Sequence, residues 1–381
     1  MEIIIIILSI IVVVLVMVFL FKNHKKTPSK HPSNLNGQNQ KSIVNQSERI
    51  IKIQVPHVAP DKNQSNITYN KMHPSVRETQ YFNITDHILP ATVDDLNRED
   101  KIIIEKKIST LPKLPTTTIK LLGLLRNPES NINKITSLVS TNPVFSGKIL
   151  QTVNSSYFNL PEKITSVGRA ITLLGYNNVR AIVFRETVDN TVPEKTNIET
   201  DGYTKMWLHS AVVSVCSGHI GKTHFKLSEY ELATIGLMHD IGKYFLSSLK
   251  DGIEIISDIP SIIKEEHQYG INHSVAGSLV AANWKLPDTI INCIEYHHYP
   301  SFFTPDKIPE QYGKQCFIVC LSDLLAHVLG YNVQSEQILP IKDEYFKLYG
   351  IEKDIQTFIT DDLLKNIEKS NLTVKSYIDV I

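Results

Sequence analysis

The sequence predicts an all-α protein, in which one apolar segment and a polar linker precede a helical domain of two lobes. Two patterns predict this fold class. Apolar residues recur at helical spacing through the later two thirds of the chain. Pro, Gly and Asn end each of these segments, and no alternating strand pattern appears. The composition agrees, because 381 residues that are 42% hydrophobic and 20% charged can build a globular core.

The amino-terminal segment, residues 1–21, is predicted to be a single transmembrane helix. Residues 3–21 are apolar apart from Ser9, and at 1.5 Å per residue this run approaches the hydrocarbon thickness of a bilayer. A cleaved signal peptide is the alternative, but the run lacks a basic region before it and a small-residue cleavage site after it. Three lysines follow the run and none precedes it, so the positive-inside rule predicts the inner membrane, with the remaining chain in the cytoplasm.

Residues 22–100 are predicted to be a flexible polar linker. They are rich in Asn, Gln, Ser, Lys and Pro, with too few apolar residues to offset the entropy of ordering them. The histidines scattered along this stretch lack ligand spacing. The four cysteines of the chain all come later, form no CxxC pair and are predicted to be buried, reduced thiols.

Two helical lobes are predicted beyond the linker, at residues 101–190 and 203–381, with a polar loop or hinge between them. The second lobe includes a tail, residues 338–381, that is expected to pack on the domain. The predicted helices of the first lobe are 116–125, 132–140, 144–154, 167–174 and 179–188. Those of the second lobe are 206–220, 229–249, 274–284, 288–297 and 315–329.

The helices of the second lobe carry side chains that are typical metal ligands. Imidazole and carboxylate groups suit divalent Fe, Mn, Mg or Zn, and the absence of cysteine argues against a closed structural zinc site. A single histidine is more often an ordinary core or surface residue, and His219, His224, His267 and His327 are assigned to that class. The candidate ligands are His209, His239, Asp240, His273, His297, His298 and Asp323.

The adjacent pair His239 and Asp240 is the centre of this prediction. Neighbouring helical positions point about 100° apart, so both side chains can reach one ion only near a helix end. Gly242 is expected to supply that end. The formal net charge of zero gives no reason to expect a nucleic-acid partner.

The order of these motifs resembles the HDOD domain, the HD-related output domain of bacterial signalling proteins. The resemblance runs from His209 through His239-Asp240-Ile-Gly-Lys243 to the paired histidines 297–298 and Leu-Ser-Asp323. It implies an all-α fold that holds divalent metals. It also implies that His209, His239, Asp240 and Asp323 are core ligands and that His273, His297 and His298 are additional ones. By the same resemblance, Asp240 and Lys243 would be catalytic in an active member, with Lys243 near a substrate phosphate.

Two functions follow from the resemblance. The first is a signalling module that binds a protein or nucleotide-type partner, with metal bound. The second is a metal-dependent phosphohydrolase using the same site, in which a metal activates water. A Gly-Tyr-Pro motif does not follow His298, so cyclic-di-GMP hydrolysis of the HD-GYP type is not supported. The four core ligands are expected to line one cleft, with His273, His297 and His298 at its rim and Lys243 facing the opening.

Overall fold

The computed structural model describes residues 89–92, 95–96, 98–127, 129–191, 200–247, 260–332 and 338–378. The predicted transmembrane segment, residues 1–21, and most of the predicted linker lie outside these residues. None of the described helices has the length and apolar character needed to cross a membrane. The described residues all fall within one compact unit.

The described residues fold into α-helices and short 3₁₀ turns, with a single isolated bridge residue, Ile338, and no sheet. The predicted all-α class is therefore confirmed for this part of the chain. The helices are α1 (Arg98–Ser109), α2 (Thr116–Leu125), α3 (Ile132–Ser140), α4 (Pro143–Val153), α5 (Val167–Leu174), α6 (Tyr176–Thr191), α7 (Thr200–Phe225), α8 (Glu229–Met238), α9 (Ile241–Ser247), α10 (Ser261–Tyr269), α11 (His273–Asn283), α12 (Asp288–Tyr296), α13 (Tyr299–Phe302), α14 (Glu310–Val328), α15 (Asp343–Tyr349) and α16 (Asp361–Ile378).

Local capping explains why several helices begin where the sequence predicts. The side chain of Asn131 accepts a hydrogen bond from the amide of Asn133 at the start of α3. Asn142 does the same for the first turn of α4, where Pro143 occupies the first helical position and needs no amide partner. These signals depend only on neighbouring residues, so they are legible in the sequence.

Two clusters of buried apolar side chains hold the domain together. The first is built mainly from α2 to α5, and the second from α7 to α15. Helix α6 contributes to both apolar clusters, because Val183 packs in the first and Phe184 in the second. The last helix, α16, contacts α7, and its Val374 packs in the apolar cluster built from α2 to α5. All four cysteines are buried and free, as predicted.

The structure differs from the sequence prediction at several helices: α13 was not predicted, α7 begins at Thr200 rather than at residue 206, and three further differences are larger. Helix α1 was not predicted, although Ile104 and Ile108 lie one turn apart and are both buried. Helix α10 was also missed. The predicted helix 229–249 is broken after Met238 into α8 and α9, and the break lies at His239 and Asp240.

Candidate metal centre

The corner between α8 and α9 places the His239-Asp240 pair. His239 follows the last residue of α8 in a helical conformation, and Asp240 lies immediately before α9. Both side chains emerge at the shared edge of two short helices, which is the geometry that two adjacent ligands require. The expected role of Gly242 as a helix terminator is wrong, because Gly242 is the second residue of α9.

Gly242 has a different role, which is close packing between helices. A Cβ on Gly242 would overlap the backbone carbonyl of His273, and it would lie 2.7 Å from the amide nitrogen of Gly277. Helices α9 and α11 can therefore approach backbone to backbone only because both positions lack side chains. This approach brings Asp240 next to His273, the first residue of α11.

One group of ligands, called here the first cluster, consists of His209, His239, Asp240 and Asp323. It joins α7, the α8–α9 corner and α14. The Nε2 atom of His209 lies 3.1 Å from Oδ1 of Asp323 and 3.4 Å from Nε2 of His239. Nε2 of His239 lies 3.3 Å from Oδ2 of Asp240.

The second cluster consists of Asp240, His273, His297 and His298, and it joins α11 to the end of α12. Nε2 of His273 lies 3.2 Å from Oδ1 of Asp240, 3.3 Å from Nε2 of His297 and 3.0 Å from Nε2 of His298. Asp240 therefore belongs to both clusters. Its Oδ2 atom faces the first and its Oδ1 atom faces the second.

The outer ring nitrogens show which tautomer these histidines hold. A carbonyl oxygen can only accept a hydrogen bond, so each Nδ1 that contacts one must be the donor. Nδ1 of His209 donates to the carbonyl of Tyr331 at 2.6 Å, that of His239 to Gly236 at 2.7 Å, and that of His297 to Ile294 at 2.6 Å. In the neutral ring each Nε2 then carries a free lone pair, and all of these lone pairs converge, as metal ligands do.

His273 is oriented by a carboxylate rather than by a carbonyl. Its Nδ1 lies 2.6 Å from Oε2 of Glu265, and its backbone amide donates to the same oxygen at 2.7 Å. A carboxylate behind a ligating imidazole fixes the ring and raises its basicity. Glu265 is thus a supporting residue of the second cluster.

Burial leaves the carboxylates without enough donors. The rings of His209, His239, His273 and His297 are 0% exposed. Oδ1 of Asp240 and Oδ1 of Asp323 are both buried and accept no well-formed hydrogen bond, although Nδ1 of His327 lies 3.1 Å from the latter. Buried carboxylate oxygens without donors are costly unless a cation neutralises them. The ligand atoms lie within 4.8 Å of one another in the second cluster, in the trio His209, His239 and Asp240, and in the trio His209, Asp323 and His327, so these residues fit a bound divalent ion.

The protonation states agree with that fit. Burial raises the pKa of Asp240, but His239 and Lys243 outweigh it and hold the pKa well below its usual range. Burial, helped by His239 and His273, lowers the pKa of His297 to about 3. Both groups are therefore held in the form that ligates a metal. The pKa of His239 is raised, because Asp240 outweighs the effect of burial, so a proton competes with a metal ion for its Nε2 atom.

Residues 111–300 match the family model described as the HDOD domain. This region of the chain is an HDOD domain. The matched residues include the whole second cluster and three members of the first, whereas Asp323 lies beyond them on α14. The resemblance predicted from the sequence is confirmed for this region.

Solved structures share the fold of the HDOD domain at low identity. One from Shewanella amazonensis SB2B, provisionally named as a phosphohydrolase, is 20% identical with a TM-score of 0.53, over 72% of this chain and 97% of that one. Another from Marinobacter aquaeolei VT8, provisionally named as a signal transduction protein, is 16% identical with a TM-score of 0.57, over 74% and 65% of the two chains.

A protein of Treponema pallidum (strain Nichols), named as uncharacterized, is 19% identical over 287 residues. The match covers 72% of this chain and 53% of that protein. This chain therefore spans about half the length of that relative.

All seven predicted ligands come together in the folded chain, but not quite as expected. His273 and His297 were expected at the rim of the cleft, and both are fully buried. The reason is that α12 ends against α11 and carries His297 inward. Lys243 was expected to face the opening of the cleft. Its side chain is 11% exposed, and its Nζ lies 2.9 Å from Oδ2 of Asp240.

Two supporting residues were missed from the sequence. His327 was assigned to the ordinary histidines, yet its Nδ1 lies 3.1 Å from Oδ1 of Asp323 and 2.9 Å from the carbonyl of that residue. The Asp-x3-His spacing on one helix was an available signal. Glu265 had no such signal, because only the turn between α10 and α11 brings it to His273.

The space beside the clusters is small. The described residues enclose a cavity of about 30 Å³, whose lining includes Lys243, His298, Asp323 and His327. Pockets for small-molecule ligands are usually about 300–1,000 Å³, whereas one water needs roughly 10–15 Å³. A larger cavity, about 290 Å³, lies elsewhere, near the start of α6, and includes none of the seven ligands in its lining.

Proposed function

We propose that this chain is a membrane-tethered signalling module whose HDOD domain binds two divalent ions, one in each cluster, bridged by Asp240. The observation that carries the proposal is the convergence of imidazole Nε2 atoms on two buried carboxylates, each with an Oδ1 atom that accepts no well-formed hydrogen bond. A protein or nucleotide-type partner would bind the module and respond to whether this centre holds metal. Nucleic acid is not expected as a partner, because the net charge is zero.

The ligand set narrows the choice of metal. The first cluster offers two imidazoles and two carboxylates, and the second offers three imidazoles and the shared carboxylate. Imidazole suits Fe, Mn and Zn better than Mg, which prefers oxygen ligands and keeps several waters. We therefore favour Fe, Mn or Zn over Mg. When bound, such an ion would act as a Lewis acid and lower the pKa of a coordinated water.

The alternative function is a metal-dependent phosphohydrolase that uses the same centre. Lys243 favours it, because an ammonium beside the bridging carboxylate is well placed to contact a phosphate, and Asp240 would hold the ions that activate water. The cavity of about 30 Å³ favours signalling through a protein partner, since it has room for water but not for a nucleotide. Nothing in the sequence supports cyclic-di-GMP hydrolysis of the HD-GYP type.

The location is also part of the proposal. Residues 1–21 would anchor the chain in the inner membrane, and the HDOD domain would lie in the cytoplasm. The support is the apolar run of residues 3–21 and the lysines that follow it. If the full chain were extracted from membranes by alkaline carbonate, the anchor would be wrong.

The decisive experiment is elemental analysis of the full chain, purified in detergent without chelators, followed by a screen with phosphodiesters and nucleotides. We expect about two equivalents of transition metal per chain and no turnover above that of an Asp240→Ala variant. Protein that contains no metal and cannot be loaded with any would refute the metal centre. Turnover that depends on Asp240 would replace the signalling function by the hydrolase.

A further inference from the structure

Residues 89–92 lie at the end of the predicted linker, yet they are held against the turn between α10 and α11. The amide of Ala91 donates to Oε1 of Glu266 at 2.6 Å. The side-chain amide of Asn272 donates to the carbonyl of Ala91 at 2.8 Å and to Oε1 of Glu266 at 2.7 Å. Pro90 beside them is buried. The backbone of Ala91 is therefore bound through both its donor and its acceptor.

Two adjacent glutamates of α10 divide their contacts between this segment and the metal centre. Glu266 receives the amide of Ala91, whereas Glu265 receives both Nδ1 and the backbone amide of His273. Neighbouring positions of a helix point about 100° apart, so the last turn of α10 can face both sides at once. A movement of this turn would change both sets of contacts together.

Asn272 makes a second connection between the two sides. It immediately precedes His273, and its Oδ1 caps α11 by accepting from the amide of Val275 at 3.0 Å. The same side chain binds Ala91 through its amide group. The position of the segment thus bears on the start of the helix that presents His273 to the second cluster.

The chain also contacts the other end of α11. After residues 89–92 it continues into α1, where Ile104 and Ile108 are buried and α1 packs along α11. The side-chain amide of Asn283, the last residue of α11, donates to the carbonyl of Ile108 at 3.3 Å. The stretch from Ala91 to Ile108 therefore touches α11 at both of its ends.

We infer that residues 89–92 are a coupling strap, through which the amino-terminal part of the chain and the metal in the second cluster control each other. Metal at His273 fixes Glu265 and the start of α11, and this favours the docked strap. A pull that releases the strap from Glu266 and Asn272 loosens the same turn and weakens metal binding. Coupling of this kind is reciprocal by thermodynamic necessity. The inference rests on the proposed metal binding and adds its regulation.

Hydrogen exchange of the full chain, with and without metal, tests the inference. The readout is the exchange of amides in a peptide that covers residues 89–92, with a peptide from α3 as the internal reference. We expect metal to slow the exchange of Ala91 by about tenfold or more, because a docked amide exchanges only when the strap opens. The α3 peptide should not respond, since α3 packs in the apolar cluster built from α2 to α5 and not in the one built from α7 to α15.

Variants separate the strap from the fold. Glu266→Ala removes the acceptor of the Ala91 amide, and Ala91→Pro removes the donor without touching the α10–α11 turn. Each should lower the affinity of the second cluster for its metal ion by about tenfold, as loss of a supporting contact does. The affinity of the first cluster should stay unchanged. In Glu266→Ala the exchange of the Ala91 amide should no longer depend on metal, whereas Ala91→Pro has no amide at residue 91 and is judged by its metal affinity alone. Glu105→Ala, at an exposed position of α1, is the matched control and should behave as wild type.

The outcomes distinguish this inference from the proposed function. Suppose that the chain binds two metal equivalents but that Ala91 exchanges at the same rate with and without metal. This result would overturn the strap and leave the metal centre intact. Wild-type affinity for both metals in Ala91→Pro would also overturn it. Absence of metal from the wild-type chain would refute the metal centre itself, and the strap with it.

Discussion

The first and second clusters share Asp240 but differ in charge and in support. The first has two carboxylates, and its histidines are held by backbone carbonyls on α8 and after α14. The second has only the shared carboxylate, and its most connected ring, His273, is held by Glu265. Two carboxylates attract a divalent ion more strongly than one, so we expect the first cluster to bind its ion more tightly. The second, with its side-chain support, is the one suited to regulation.

The largest effect is expected from Asp240→Ala, because this residue is common to both clusters. Both metal equivalents should be lost, with each affinity reduced by about 100-fold or more. The reason is that a residue that binds the metal directly matters at least as much as the residues that hydrogen-bond to it. Elemental analysis measures the loss, and circular dichroism should show that the helices remain. Asp306→Ala, at an exposed site, is the control. Retention of one full equivalent by Asp240→Ala would show that the carboxylate does not bridge.

A smaller effect is expected from changes confined to one cluster. Asp323→Ala should remove the ion of the first cluster, and His297→Ala that of the second, with the other equivalent retained in each variant. The reason is that each residue lies in one cluster only. Metal titration followed by calorimetry would resolve the two equivalents. Loss of both ions in both variants would mean that the clusters behave as a single cooperative site.

His327→Ala sharpens the comparison, because it acts on the first cluster without removing a predicted ligand. Its Nδ1 lies 3.1 Å from Oδ1 of Asp323 and helps to orient that carboxylate. We expect the affinity of the first cluster to fall by about tenfold and that of the second to stay unchanged. The same metal titration measures both. A fall as large as that of Asp323→Ala would instead make His327 a ligand.

The smallest effect on metal binding is expected from Lys243→Met. The ammonium lies 2.9 Å from Oδ2 of Asp240 and competes with a metal ion for that oxygen. Metal affinity should therefore rise by about threefold, equivalent to roughly 0.6 kcal/mol. Binding of inorganic phosphate to the metal-loaded chain should weaken in the same variant. Reduced metal affinity in Lys243→Met would show that the lysine supports the centre rather than competing with it.

The predicted helices that match best are those whose ends are marked locally. Thr116–Leu125, Ile132–Ser140 and Val167–Leu174 were predicted with the bounds that the structure has. Each is bounded by Pro, Asn, Ser or Gly within a residue or two of its ends, and such signals act over less than one turn. Helix α10 was missed because the burial that stabilises Ile262 and Ile263 comes from distant residues.

The sequence by itself determined the fold class and the identities of the seven candidate ligands. Periodicity and caps are encoded within a few residues, and the ligand order is carried by motifs that resemble the HDOD domain. The tertiary structure alone decided how those ligands divide. Asp240 faces two clusters, and Glu265 rather than Glu266 supports His273. These features depend on the close approach of α9 and α11 at Gly242 and Gly277, where contacts form between residues far apart in the chain.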